Sequence, residues 1–394
     1  MKIAQVISTP PLAWATGGSA RVVYDLSREL VNRGHEITII TTDLYEPGRR
    51  YTSDLNVSDP EKLTILRFPY FSEFLAWKKK IYISVGLIKY IRIHIGEYEI
   101  VHLQDLISIQ AIFTAKYCIK KKIPYIISTH GSLPWLKSPG LFPLIFRFCF
   151  GKKILENATA ITVLNEYEKQ TCQSFGILEA KIAVLHNFID SQIYTFLPKK
   201  NEFKQKFGIK YSKKILLYIG RIEKTKGLDL LIKVFADITK DQNNLLLVII
   251  GNDDGYLEEI RLLINKQKIT DNVAIIGYID EKDKISAYID ADIMIYPRKW
   301  EPFGLTILEA CACGTPVICS TRCGIAEYIN NTAGITFNYN FESLKKAITE
   351  LLINRELHEK LSKGGKQLIA EQFTPKKIVY DVERLYEKSI LTGV

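Results

Sequence analysis

Trp300-Glu301-Pro302-Phe303-Gly304-Leu305-Thr306-Ile307-Leu308-Glu309, running on through Ala310 to Gly314-Thr315-Pro316, is the stretch on which the reading of this 394-residue chain turns. It follows an apolar strand-like run, Ala291 to Tyr296, so Glu301 falls in the loop at a strand's carboxyl end, where open α/β sheets bind ligands. The pattern then predicts a helix from Gly304 or Leu305 to Gly314, built from Leu, Thr, Ile, Ala and Cys, with Glu309 as its one charged side chain. An ionised carboxylate on an otherwise apolar helix is costly unless something hydrogen-bonds to it.

The spacing points to the ligand. Backbone amides around Phe303 to Thr306, at a helix start, favour a phosphate. Glu309, one turn further in, can accept two hydroxyls of a ribose diol, and Glu301 on the loop faces whatever is joined to the far phosphate. Each glutamate alone has a plainer reading: Glu301 as a solvated loop carboxylate, Glu309 as the structural partner of a distant arginine. Together, with Gly304 and the small residues behind them, the pair is far more specific.

Outward from that stretch, short β-rich runs alternate with helical ones in both halves, as doubly wound α/β domains require. Strands are read at Lys2 to Ser8, Glu36 to Thr41, Leu63 to Phe68, Ile100 to Leu103, Tyr125 to Thr129, Ala160 to Leu164 and Ile182 to Leu185. A second set lies at Lys214 to Ile219, Asn244 to Ile250, Val273 to Ile276, Asp292 to Tyr296, Pro316 to Ser320 and Gly334 to Phe337. The polar segment Asn187 to Ser212 reads as the join. After the first strand, Gly17 and Gly18 permit close backbone approach to a ligand at a helix start. After Ile219 comes Gly220-Arg221-Ile222-Glu223-Lys224-Thr225-Lys226-Gly227. Arg221 and Lys226 flank a loop before a helix, which suits a diphosphate leaving group; singly, each also reads as a solvated loop cation.

Glu301, seven intervening residues and Glu309, inside E-P-F-G-L-T-I-L-E-A, resemble the signature of the retaining GT-B glycosyltransferases, specifically family 4, which take sugar nucleotides as donors. G-R-x-x-x-x-K-G after the first strand of the second half resembles that family's diphosphate-binding pattern. The resemblance covers nearly the whole chain and implies two Rossmann-like doubly wound domains facing across a cleft. An N-terminal acceptor-side domain is expected over 1–190 and a donor domain over 191–372, with a final helix, 373–391, crossing back to the first domain. Glu301 would lie by the transferred sugar and Glu309 would hold the ribose, while Arg221 and Lys226 would meet the diphosphate. Gly220, Phe303, Gly304, Leu305 and Thr306 would also bind the donor, and Gly277-Tyr278 occupies the position that usually meets the base. His130, in Ser-Thr-His-Gly-Ser at a strand end, matches the family's first-domain histidine near the transferred sugar, although a lone histidine is as readily structural. The expected donor is a nucleotide-diphosphate sugar, bound without metal, and no further cofactor is implied. Two departures stand out: Arg298-Lys299 where a small polar residue is common before E-P-F-G, and Cys323-Gly324 where Gly-Gly is frequent.

Composition excludes several classes. With 47% hydrophobic and 24% charged residues the chain is an ordinary globular one, with room for two cores. No run approaches the ~18 apolar residues of a membrane span, and Met1 to Ile7 has no long apolar leader, so a cytoplasmic location is expected. Seven cysteines fit a reducing compartment. Cys311 and Cys313 point about 200° apart on one helix, so with Cys319 and Cys323 they read as small buried packing rather than zinc ligands. Neither half has G-x-G-x-x-G after its first strand, against a nicotinamide enzyme, and Asp253-Asp254 reads as a turn. The sequons at Asn56, Asn157 and Asn330 are chance in a chain that is never secreted.

Net charge is +10, and acidic residues are missing between Glu73 and Glu97 and between Asp105 and Glu156. Those gaps hold cations such as Lys78, Lys79, Lys80, Arg147, Lys152 and Lys153 among Phe74, Trp77, Phe146, Phe148 and Phe150, a composition suited to an anionic membrane interface. An ordinary basic surface around a buried helix is the plainer account. No nucleic-acid motif accompanies the charge. The expected acceptor is a glycan or lipid-linked hydroxyl in cell-surface polysaccharide or glycoconjugate synthesis. A sugar-nucleotide epimerase on the same fold and a silent scaffold of a glycan-assembly complex are the alternatives.

Overall fold

The computed structural model describes residues 1–11, 18–52, 61–138 and 140–393. Gly17 and Asn56 lie outside them. The chain divides into two compact units, residues 1–187 with 375–394, and residues 188–374.

The first unit carries a seven-stranded sheet in the spatial order Leu63–Phe68, Glu36–Thr42, Lys2–Val6, Ile100–Leu103, Tyr125–Ser128, Ala160–Val163, Ile182–Val184. Every pairing is parallel. In the strands from Ile100 to Val163 every residue is buried, the reason they read as unbroken apolar runs rather than alternating ones. Strand order reverses between Lys2–Val6 and Ile100–Leu103. The last helix, Pro375–Thr392, packs on this unit: the Glu383 carboxylate accepts from Arg33 Nε at 2.8 Å and pairs with His35 Nε2 at 2.8 Å. A short antiparallel ribbon, Leu44–Glu46 with Arg49–Arg50, was not foreseen from sequence.

The second unit has six parallel strands in the order Val273–Ile276, Leu245–Ile250, Lys214–Ile219, Ile293–Tyr296, Val317–Ser320, Gly334–Phe337. Its order reverses between Lys214–Ile219 and Ile293–Tyr296, so the loops 220–227 and 297–304 leave the sheet on either side of the switch point, the ligand position of this architecture. The loops touch: Gly227, at φ +76°, would place a Cβ 1.9 Å from the Pro297 carbonyl oxygen, so only glycine fits there. The helix Leu305–Cys313 runs between left-handed Gly304 and Gly314 and buries Ile307, Leu308, Ala310 and Cys311 completely.

Every strand read from sequence is present, with edges within two residues. The segment read as a join, 187–212, begins where the two units divide and carries structure of its own. Its helix Glu202–Lys206 buries Phe203, and the Asp290 carboxylate accepts from the amides of Asn201 and, at 2.9 Å, Lys204. That segment is therefore an integral part of the second unit. The four clustered cysteines are buried, and none forms a disulfide. No helix among the described residues is long and apolar enough to cross a membrane.

Candidate active site

Glu301 and Lys226 come together at the switch point of the second unit. Lys226 Nζ lies 3.7 Å from Glu301 Oε2, and the same oxygen accepts from Tyr296 Oη at 2.6 Å and from Arg298 NH1 at 2.6 Å. All of these contacts converge on Oε2. Burial alone would raise the Glu301 pKa, but Lys226, Arg298 and the hydrogen bonds from Tyr296 and Arg298 outweigh it and hold the carboxyl below its ordinary value. Burial pushes the Lys226 ammonium down, against the opposing pull of Glu301. The main chain of Glu301 is pinned as well, its carbonyl accepting from Gly324 N at 2.8 Å, while Cys323 Sγ donates to the Phe303 carbonyl at 3.3 Å. Both departures from the family pattern therefore fasten the glutamate loop: Arg298 and Cys323 through their side chains, Gly324 through its backbone amide.

Arg221 stands on the solvent side, 42% exposed, paired with Glu223 at 3.1 Å and with Asp254. Arg221, Lys226 and Arg298 thus balance Glu223, Asp254 and Glu301, and the unliganded cluster is neutral. Exposed ion pairs are worth about 0–1 kcal/mol, so a phosphate can displace the carboxylates from Arg221 at little cost. Asp253 caps the following helix, its Oδ1 accepting from Gly255 and Tyr256 at 2.9 Å and from Leu257 at 3.1 Å.

The helix Leu305–Cys313 begins without a side-chain cap and without an acid in its first turn. Its first amides have no intrahelical partner, and Thr306 Oγ1 is buried with no hydrogen-bond partner. A buried hydroxyl left unsatisfied beside uncapped amides at a helix start is a setting that suits an anion. Phe303 itself is core, its ring 5.8 Å from Phe373, so its part in any site is through the backbone. Glu309 is 4% exposed; Oε1 accepts from Lys284 Nζ at 3.0 Å and Oε2 from Tyr288 Oη at 2.9 Å. Lys284 and Tyr288, both on helix Glu281–Asp290, thus tie Glu309 to that helix. Gly220 is close to Tyr218, and Tyr278 is 61% exposed on the link between Val273–Ile276 and that helix. A cavity of about 540 Å³ between the 196–202 segment and the start of the same helix is lined by none of these residues.

In the first unit, Gly18 opens the helix Gly18–Asn32. His130 has φ +43°, a left-handed conformation costly for a residue with a Cβ and typical of functional loops. It heads a chain of hydrogen bonds, directed as far as Tyr386 because an amide oxygen only accepts. His130 Nε2 donates to Gln104 Oε1 at 2.8 Å, Gln104 Nε2 to Gln5 Oε1 at 2.6 Å, and Gln5 Nε2 to Tyr386 Oη at 2.9 Å. Tyr386 Oη is hydrogen-bonded to His102 Nδ1 at 2.7 Å, His102 Nε2 to Ser128 Oγ at 2.7 Å, and Ser128 Oγ to Thr162 Oγ1 at 2.6 Å. That direction fixes the tautomer of His130, leaving Nδ1 as its acceptor.

Burial pushes His130 down to about 4 and His102 to about 3, so both rings are neutral near pH 7. The unfolded chain protonates them from about pH 6.5 downward. Stability is therefore full above that value and falls as pH drops toward the folded pKa values, by up to about 1.4 kcal/mol per pH unit for each ring. Denaturant titrations from pH 7 to 4 should show that slope, reduced in His102→Gln; a pH-independent midpoint would contradict it.

Two doubly wound parallel sheets, the second with cations and an uncapped helix start at its switch point, define the GT-B class of α/β proteins. The family model described as Glycosyltransferase Family 4 matches residues 16–193, and that described as Glycosyl transferases group 1 matches residues 199–368. N-acetyl-alpha-D-glucosaminyl L-malate synthase of Bacillus anthracis is 27% identical over 379 residues, 94% of each chain. Sucrose-phosphate synthase from Thermosynechococcus elongatus superposes with a TM-score of 0.81 at 19% identity over 99% of both chains. HepE of Anabaena, in complex with UDP and glucose, does so at 0.78 and 15% identity over 98% of this chain and 100% of its own. The chain belongs to family 4 of the GT-B glycosyltransferases.

The sequence did not reveal Tyr288, Tyr296, Lys284 or the Gln5–Gln104–Tyr386 relay as companions of the site. Arg298 alone carried a signal, as an unusual residue before E-P-F-G.

Proposed function

We propose that this glycosyltransferase is retaining and metal-independent, and moves a hexosyl group from a nucleotide-diphosphate sugar to a hydroxyl of a glycan or lipid-linked acceptor. The observation that carries this reading is the uncapped start of helix Leu305–Cys313, with Thr306 Oγ1 unsatisfied, in the same unit and next in sequence to the loop holding the Lys226–Glu301–Arg298 cluster. Arg221, Lys226 and the amides of Leu305 and Thr306 take the diphosphate, whose charge grows as the bond to the sugar's anomeric carbon breaks. Gly220 lets the loop approach it closely. Glu309 holds the ribose, Tyr278 meets the base, and Glu301 Oε1 accepts from the sugar.

The acceptor oxygen bonds to the anomeric carbon on the face that the diphosphate leaves, and its proton passes to a leaving-phosphate oxygen. Neutral His130 accepts a hydrogen bond through Nδ1. The cations and the helix start supply the countercharge that a metal would otherwise bring. A hexosyl donor accords with HepE having been solved with UDP and glucose. Cell-surface polysaccharide or glycoconjugate synthesis on the cytoplasmic side is the setting proposed.

Thermal unfolding with a panel of nucleoside diphosphates in EDTA tests the donor site. One base at a hundredfold excess over its Kd should stabilise the protein by about 2.7 kcal/mol, with the shift unchanged by EDTA. No shift by any nucleotide from folded protein would remove the donor-site assignment.

A further inference from the structure

The stretch Leu141 to Asn157 is helical throughout, as α-helix Leu141–Phe146, a π-helical turn Arg147–Gly151 and α-helix Lys152–Asn157. One apolar side is accounted for: Phe146, Ile154 and Leu155 are buried in the core of the first unit. A second apolar side faces solvent. Leu141 is 72% and Phe148 70% exposed, and Leu144, Ile145 and Phe150 are exposed with them. Leu141, Leu144, Ile145 and Phe148 stand at i, i+3, i+4 and i+7, which is one helix face. A helix apolar on two sides is built for two apolar neighbours, and the core supplies one.

The charge around this ridge selects the other neighbour. No acidic residue occurs between Asp105 and Glu156; Arg147, Lys152 and Lys153 lie within the helical stretch, whose one acid, Glu156 near its end, pairs with Lys152 at 3.6 Å and leaves a net positive charge. The Arg147 guanidinium sits 4.9 Å from the centre of the Phe148 ring, a cation beside an exposed apolar side chain. A second copy of the chain meeting this face symmetrically would bring these cations against their own counterparts. A surface of anionic headgroups over hydrocarbon satisfies both the apolar residues and the cations.

We propose that this ridge seats the first unit on an anionic lipid bilayer, with Leu141, Leu144, Ile145 and Phe148 at the acyl boundary and Arg147, Lys152 and Lys153 among the headgroups. The proposal deepens the acceptor side of the function above, since it names the surface on which a lipid-linked acceptor is met. It requires no nucleotide, so its failure and that of the donor site are separable.

Vesicle flotation of the full chain without nucleotide tests it, comparing phosphatidylcholine alone with phosphatidylcholine containing about one-third phosphatidylglycerol. Binding is expected to the anionic vesicles and to fall by more than about tenfold both in Leu144→Ser/Phe148→Ser and in Arg147→Gln/Lys152→Gln/Lys153→Gln. Circular dichroism checks that each variant is folded. No binding by the wild-type chain, or binding unchanged in the folded serine variant, overturns the proposal. So does a concentration-dependent dimer abolished by Phe148→Ser in a chain that ignores vesicles, because the ridge would then be a self-association face. Vesicle binding alongside a null nucleotide panel would leave this inference standing and remove the donor site alone.

Discussion

Replacing Lys226 with alanine is expected to lower kcat/KM for the sugar-nucleotide donor by about 10²–10³, the scale of removing one group aimed at charge that develops in the transition state. Lys226 is nearly buried, its ammonium 3.4 Å from Tyr296 Oη and 3.7 Å from Glu301 Oε2, so no water-exposed cation can readily take its place. The substitution also alters Glu301. Burial raises that carboxyl, and Lys226 heads the attractive interactions that overcome the rise. Without it the Glu301 pKa increases, and the acid limb of the pH profile of kcat/KM should move to higher pH. Arg298 remains bound to Oε2, so the group stays paired and the chain folds. Wild-type kcat/KM in Lys226→Ala would take this residue out of the diphosphate site.

Glu309→Ala is expected to act on stability as well as on binding. It leaves the Tyr288 hydroxyl buried with its acceptor gone and Lys284 with Glu281 as its remaining carboxylate, 3.1 Å away. Losing one partner of such a buried pair should cost about 2–4 kcal/mol, moderated here by Glu281. For a unit of this size that is a fall in Tm of roughly 5–15 °C. Glu309→Gln keeps one acceptor oxygen and nearly the same shape, so it should recover much of the stability. Its nucleoside diphosphate affinity, read by calorimetry, should still be about tenfold lower, because a ribose diol loses a charged acceptor. Full nucleotide affinity in Glu309→Gln would make Glu309 a purely structural anchor for helix Glu281–Asp290.

The fold was legible because parallel strands buried on both faces spell unbroken apolar runs; Ile100–Leu103 and Val317–Ser320 are instances, every residue buried. The donor-site candidates were legible because their chemistry is local in sequence: Arg221 and Lys226 share one loop, and Glu301 and Glu309 flank one helix start. What escaped was pairing between distant parts. Gln5 and Tyr386 meet across 381 positions and His102 and Tyr386 across 284, and no spacing encodes such contacts. Local geometry hid others: Arg298 read as a departure, whereas three residues along a tight loop place its guanidinium on Glu301. In the 187–212 segment the helix Glu202–Lys206 was not read, because its polar residues concealed what Phe203 and the Asp290 carboxylate hold inside.

The last helix also sets an order of assembly during synthesis. Residues 188–374 form one uninterrupted unit, whereas the first unit is split in sequence and needs 375–394. Until Tyr386 has emerged, Gln5 and His102 lack their shared partner, and Glu383 is not yet there to meet Arg33 and His35. The half of the chain made first is therefore the half completed last. A chain truncated short of Tyr386 would hold a first unit whose polar interior is still open.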